Sequence, residues 1–253
     1  MKLTILLEET STYLNMSDFY FDKYKLQDGF RLRSSFSSLA PDGKPRDEWS
    51  GELEIADMPI TSLKGFPKKV KGEIRLSRLP ITSLDGIGIT TEWLHLNGLK
   101  IKNFDGLIDA SNISISYCKL DNLLGLPDHL HNLVIGHCEV KSFEGFPKFV
   151  TNLKIFGQLG LVDPVEMSFK GIDKYIKAAG QISFDGAAID ENTPLLGFLN
   201  IAQLNNIEFK SRHSAKKDLS KAFDIINKYL PNGDIFDCQS ELIEAGFKEN
   251  AKV

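Results

Sequence analysis

Cysteine is scarce in this chain. Only Cys118, Cys138 and Cys238 occur in 253 residues, an odd number spread too thinly for a disulfide framework, which points to a reducing compartment. Long apolar runs are missing as well. Leu3 to Leu7 is stopped by Glu8 and Glu9, and no later stretch approaches the ~18 apolar residues that cross a bilayer. The expectation is a cytoplasmic protein with neither a membrane span nor a standard export signal. Nor is there an excess of positive charge: 30 basic against 34 acidic side chains leave a net charge of −4. With a pI near 5.8, a protein whose whole surface grips nucleic acid is excluded, and any such contact would be local. Compositional bias is absent too. At 42% apolar and 25% charged residues the chain is neither wholly disordered nor fibrous, and it is long enough to bury a sizeable core.

What is present is self-similarity. Ile60-Thr-Ser-Leu63-Lys-Gly65-Phe66-Pro67 recurs as Ile81-Thr-Ser-Leu84-Asp-Gly86-Ile87, Ile101-Lys-Asn-Phe104-Asp-Gly106-Leu107, Leu120-Asp-Asn-Leu123-Leu-Gly125-Leu126-Pro127 and Val140-Lys-Ser-Phe143-Glu-Gly145-Phe146-Pro147. An alternating apolar pair precedes each: Leu53/Ile55, Ile74/Leu76, Leu94/Leu96, Ile113/Ile115 and Leu133/Ile135, at successive spacings of 21, 20, 19 and 20. Counting from the first member of each pair, apolar residues fall at offsets 0, 2, 5, 7, 10 and 13, and glycine at offset 12. Leu153/Ile155 opens a sixth unit. Ile182/Phe184 and Ile207/Phe209 fit a seventh and an eighth after longer excursions of 29 and 25 residues.

Offsets 0 and 2 put both side chains of a pair on one face of a strand, and a return after about 20 residues lets the next strand lie parallel to the last. One such coil cannot bury its apolar side alone, so stacking is required. The glycine marks a sharp turn with positive φ, and the following proline, where present, stops a helix. The return segments are therefore expected to be mostly irregular or short helical turns.

The ends of a solenoid need covers. Residues 1–50 lack the repeat and carry Phe19, Tyr20, Phe21, Tyr24, Phe30 and Phe36, an aromatic density suited to closing an edge, and Phe30 to Phe36 alternates as a strand able to pair with the first repeat strand. At the other end, Leu219, Phe223, Ile226 and Leu230 predict an amphipathic helix over 214–230. Ile235, Cys238, Leu242 and Ala245 predict a second helix over 235–245, stopped at Gly246.

Chemistry is harder to find. Cys118 and Cys138 share offset 5 in adjacent units and should stack about 5 Å apart as buried apolar thiols. A zinc site would need two more ligands, and His137 should point the opposite way. Asp128-His129-Leu130-His131 places Leu130 in the core and both histidines on a solvated loop. Glu52, Glu54 and Glu73 cluster as acid–base catalysts do, but Arg75 lies across from Glu54, so a cross-strand ion pair is the simpler reading. Asp237-Cys238 suggests a nucleophile, yet Cys238 is on the apolar stripe of its helix. Two basic runs, Lys64, Lys68, Lys69, Lys71, Arg75, Arg78 and Lys210, Arg212, Lys216, Lys217, Lys221, lack the aromatic interleaving of single-strand binders. No cofactor is expected. A metal-dependent or cysteine-using enzyme, or a local nucleic-acid binder through the Lys/Arg clusters, stands as the alternative.

The outward strand residues carry no packing duty. They group Trp93, Tyr117 and Phe156 into an expected aromatic pocket, flanked by Arg75, His95, His137 and Lys154, residue types that anchor protein partners. Eight strands give a face of roughly 600 Å². A standard interface buries about 800 Å² per partner, so flanking loops or the N-terminal segment should contribute.

The repeat resembles the leucine-rich repeat, and the I-T-S-L-x-G-x-P form with its helical tail, Ala222 to Pro231 and Asp237 to Gly246, is similar to the leucine-rich-repeat-like proteins of large tailed bacteriophages. That resemblance implies an α/β repeat solenoid with a curved parallel β-sheet: an N-terminal aromatic/β cap at 1–50, a solenoid at 51–210 and a two-helix cap at 211–253, forming one domain. It further implies a place in the host bacterium's cytoplasm or in the virion, with a phage structural protein or a host protein as partner; it implies no activity, and the residues themselves lead to the expectation of a non-enzymatic protein-interaction module. The repeat's usual asparagine position is filled here by Met58, Leu79, Leu99, Cys118 and Cys138, so its side-chain ladder is not expected.

Overall fold

The structure, a computed structural model, describes residues 31–34, 48–50, 52–57, 61–63, 66, 68–90, 92–156, 176–185, 189, 192–210 and 218–252. In chain order the strands are β1 (Arg31–Ser34), β2 (Glu48–Ser50), β3 (Leu53–Ala56), β4 (Lys69–Lys71), β5 (Ile74–Ser77), β6 (Ile89–Thr90) and β7 (Trp93–Asn97). They continue as β8 (Asn112–Ser116), β9 (Lys119–Leu120), β10 (His129–Gly136), β11 (Glu139–Val140), β12 (Phe149–Phe156), β13 (Ala179–Asp185) and β14 (Asn206–Lys210).

Each apolar pair becomes the centre of a strand. A nine-stranded sheet runs in the order β1, β3, β5, β7, β8, β10, β12, β13, β14, parallel throughout except where β1 pairs antiparallel with β3. Its register aligns Leu53, Ile74, Leu94, Ile113, Leu133, Leu153, Ile182 and Ile207 in one rung and Ile55, Leu76, Leu96, Ile115, Ile135, Ile155, Phe184 and Phe209 in the next. All of the first rung and all but Phe209 of the second are buried. At roughly 1.5–3 kcal/mol per buried aliphatic side chain, these two rungs stabilise the stack together with the equally buried residues of the return segments, such as Leu79, Ile81, Leu84 and Phe104. The chain is a β-solenoid of parallel strands, and the two irregularly spaced pairs take the same rungs as the regular ones.

The glycine at offset 12 turns the chain as expected. Gly86, Gly106, Gly125 and Gly145 have φ of 91°, 90°, 89° and 83°, each the third residue of a turn closed by a bond such as Leu107 N–H to Phe104 C=O at 3.0 Å, the type II pattern that demands a positive φ there. A second reason for glycine lies in the stacking. A Cβ on Gly125 would sit 2.5 Å from the carbonyl carbon of Phe104 in the preceding coil. The residue at offset 9 supports the same turn: Ser83 Oγ, Asn103 Oδ1, Asn122 Oδ1 and Ser142 Oγ accept from the N–H two residues on, at 3.0 to 3.2 Å.

Contrary to the expectation of irregular or helical returns, the return segments contain short strands. β2, β4 and β6 form a three-stranded parallel sheet, and β9 and β11 a two-stranded one. Successive coils stay in step there too, so neighbouring backbones satisfy each other.

A 3₁₀ helix (Leu196–Asn200) lies between β13 and β14, and α1 (Ser220–Tyr229) and α2 (Ile235–Glu244) follow the sheet. Phe223 of α1 stacks on Phe209 at 4.9 Å between centroids and meets Phe184 and Phe198 at 6.1 and 6.2 Å. The helix thereby covers the last rung. Gly246, with φ 88°, ends α2 as its sequence position suggested. Residues 214–217 of the first expected helix lie outside the described residues. So do Phe19, Tyr20, Phe21, Tyr24, Phe30 and Phe36 of the expected N-terminal cap, whose middle, Arg31–Ser34, is the strand paired with β3.

Candidate binding face

The strands leave the sheet through a backbone feature that repeats with the coil. Residues at offset 4 are left-handed: Asp57, Arg78, Gly98, Tyr117 and His137 have φ of 57°, 51°, 60°, 54° and 51°. Each donates its N–H to the carbonyl at offset 3 of the following coil, from Asp57 to Ser77 (3.0 Å) through Arg78 to Asn97 (2.8 Å), Gly98 to Ser116 (2.9 Å) and Tyr117 to Gly136 (3.1 Å) to His137 to Phe156 (3.1 Å). For a non-glycine residue this conformation costs about 1–2 kcal/mol, which the continued hydrogen-bond ladder offsets. The side chains line up as a column. The Arg78 guanidinium grips the Asp57 carboxylate through two nitrogens, and Tyr117 stacks on His137 at 4.8 Å with 7° between the ring planes.

The expected aromatic pocket is divided between the two ends of the strands. Tyr117, 61% exposed, leans on His137. His137 in turn meets the Phe156 ring edge-on at 5.5 Å, and Lys154 Nζ lies 5.7 Å from the Phe156 centroid. Phe156 also roofs Gly136, whose added Cβ would be 2.2 Å from the ring. Trp93 belongs elsewhere. It pairs in register with Asn112, at the start of β8, about 16 Å of strand away from Tyr117, and stacks on His95 at 5.5 Å.

Around His95 one guanidinium meets two carboxylates. Arg75 sits in register with Glu54, as the sequence suggested, but its ion pairs are with Glu52 at 2.7 Å and with Glu73. The two glutamates flank the guanidinium from the N-terminal end of the strands, so the expected Glu54–Arg75 pair is replaced. His95 Nε2 lies 3.7 Å from Glu73 Oε2. Burial, reinforced by Arg75, holds the imidazole below its usual pKa, so it is neutral near pH 7. Arg75, Ser77, His95, Asn97, Ser114 and Ser116, with Glu54, line a shallow depression on this face.

Several members of the basic clusters are paired as well. Lys71 meets Glu48 at 2.7 Å, Arg78 meets Asp57, and Lys210 meets Glu208 at 3.2 Å. Further along the coil, Lys141 pairs with Asp121 at 2.6 Å and Lys119 with Glu139 at 2.9 Å. Lys64, Arg212, Lys216 and Lys217 lie outside the described residues.

Cys118 and Cys138 are buried and free, and each thiol donates to a carbonyl two residues back, Ser116 O and Gly136 O, at 3.3 Å. A hydrogen bond with Cys118, then burial, pushes the Cys138 thiol up. An asparagine ladder exists one residue before three of the apolar pairs: Asn152 Nδ2 to Asn132 Oδ1 at 2.9 Å, Asn132 Nδ2 to Asn112 Oδ1 at 2.6 Å, and Asn112 Nδ2 to the Glu92 carbonyl at 2.8 Å. Three asparagines spaced by 20 residues were the signal for it. His129 and His131 are exposed on β10 rather than on a loop. Among the described residues no group of His, Cys, Asp or Glu could hold a metal ion, and no helix is long and apolar enough to cross a membrane.

No family model, curated protein or solved structure matches the chain. The site is therefore read from its own geometry: a parallel-stranded face with a stacked Tyr117–His137–Phe156 group at the C-terminal end of the strands and a hydroxyl-rich depression that reaches the same end along the preceding strands.

Proposed function

We propose that the chain is a non-enzymatic protein-interaction module of the leucine-rich-repeat-like class encoded by large tailed bacteriophages, recognising its partner through the strand face and the loops beside it. The observation that carries this reading is Tyr117. A residue in a left-handed conformation costs least as glycine, yet this position holds a large aromatic side chain, 61% exposed, at φ 54° and propped by His137. The left-handed turn recurs at this offset in five coils; what marks Tyr117 is the large aromatic ring held out in solvent there, and Tyr is enriched at binding hot spots. Trp93, Arg75, His95, Lys154 and Phe156 extend the contact along the face.

Two roles fit a phage protein of this kind: a virion component seated among structural proteins, or a soluble factor that binds a host protein during infection. Detection of the chain in purified particles supports the first. Its absence from particles, with a host protein co-purifying from infected cells, supports the second. The binding reading itself is tested with the double variant Trp93→Ala, Tyr117→Ala, used as bait beside the wild-type chain. Loss of every specifically enriched partner with an unchanged melting temperature is expected, and undiminished capture by the folded variant overturns it.

A further inference from the structure

The column of left-handed residues has one gap. Between Arg78 and Tyr117 the position is Gly98, with φ 60°. Tyr117 has one ring face on His137, and its other face looks across Gly98 toward the Arg78 stem. Two coil spacings separate Arg78 from Tyr117, about 10 Å, and no side chain stands between them at Gly98, where the nearest atom to an added Cβ would be the Arg78 Cγ at 3.2 Å. Directly beside this gap, Ser77, Asn97 and Ser116 stand side by side in register. Together with Ser114 they line the depression.

No hydrogen bond occupies these four side chains among the described residues, and each is half-buried. The contrast within the same coils is sharp. Asn112, Asn132 and Asn152 are spent on their ladder, and Ser83, Asn103, Asn122 and Ser142 on their turns.

We propose that this gap and depression form a binding site for a neutral saccharide, one pyranose ring stacking on Tyr117 above Gly98 and its hydroxyls bonding to Ser77, Asn97, Ser114 and Ser116. A pyranose offers a flat face of C–H groups that suits the electron-rich face of an aromatic ring. Its rim hydroxyls both donate and accept, matching serine hydroxyls and an asparagine amide, with the Glu54 carboxylate as a further acceptor. The charges select against anions. Arg75 is already matched by Glu52 and Glu73, and with Glu54 at the rim a phosphate or sulfate group meets net negative charge.

The test is a titration of the full chain, followed by amide NMR, with maltotetraose, cellotetraose, chitotetraose and mannotetraose. At least one is expected to give saturable shifts centred on Asn97, Gly98, Ser116 and Tyr117, undiminished by an excess of dextran sulfate. Gly98→Asn fills the gap with a residue that tolerates the left-handed conformation, the Arg78 Cγ 3.2 Å from the new Cβ yielding by a few tenths of an ångström. Ser116→Val removes one hydroxyl from a strand position that valine suits. Each variant should weaken binding at least about tenfold with the rest of the spectrum intact. Absence of a saturable shift with all of these sugars, or binding that survives Gly98→Asn, overturns the proposal. Gly98→Asn leaves Trp93 and Tyr117 in place, so this outcome is separate from that of the partner-capture experiment.

Discussion

The side-chain amide of Asn227 forms a strand-like pair with Ile207: its Oδ1 accepts from the Ile207 N–H and its Nδ2 donates to the Ile207 carbonyl, both at 2.8 Å. Ile207 lies in β14, the last strand of the nine-stranded sheet, where a further coil would otherwise supply those bonds. An unpaired edge invites pairing with another chain. A single asparagine on α1 therefore satisfies the open backbone groups of Ile207, while Phe223 packs on the apolar side.

Asn227→Ala removes two hydrogen bonds and leaves the backbone groups of a buried residue without partners. At about 1 kcal/mol net per bond plus the penalty for unsatisfied groups, a loss of about 2–4 kcal/mol is expected in urea unfolding. A change below about 0.5 kcal/mol, the range of an ordinary surface substitution, would show that water replaces the amide and that the cap does not depend on it.

Glycines with the same sign of φ should respond unequally to alanine. Gly125→Ala meets the left-handed penalty and a backbone collision at 2.5 Å with Phe104, and should cost more than about 3 kcal/mol. Gly246→Ala has φ 88° but no atom within 4 Å. Its cost is the conformational one, about 1–2 kcal/mol, reduced by the lower entropy of the unfolded alanine chain. Equal destabilisation of the two would mean that the coils are not in contact at the turn.

Much of this architecture is written in the residues. Alternating pairs specify strands because burial on one face demands a period of two, and the recurrent glycine is demanded both by φ and by the close passage of the preceding coil. The left-handed column left little trace. Its conformation is imposed by coil closure and the cross-coil ladder, and of Asp57, Arg78, Gly98, Tyr117 and His137 only the glycine announces it. Grouping Trp93 with Tyr117 failed because outward positions at opposite ends of a strand share a face without sharing a neighbourhood. The pairing of Arg75 with Glu52 and Glu73 instead of Glu54 has the same origin: a long side chain leans along the strand, beyond its register partner.

Stability should fall on mild acidification through His95. Its folded pKa lies below the ordinary value of 6.5, first through burial and then through Arg75, so the neutral form is the one that suits the fold. The resulting stabilisation is present above about pH 6.5 and declines as pH falls toward the folded pKa. Glu48, Asp121, Glu241 and Glu249 have lowered pKa values through their lysine partners, and their contributions are lost only below the ordinary carboxylate range, near pH 4. Urea midpoints near pH 7 and near pH 5.5 should therefore differ in the wild-type chain and differ less in His95→Gln. An unchanged difference in the variant would place the acid-sensitive group elsewhere.

The central claim, recognition through the strand face, meets its most direct test in site-specific photo-cross-linking. A benzophenone amino acid is placed at position 117, or instead at position 236, where Phe236 is 82% exposed on α2, and the chains are irradiated in infected-cell lysate. Adducts with one defined protein formed from position 117 and not from position 236 are the predicted result. Adducts formed from position 236 alone would contradict it and move the interface to the helical end.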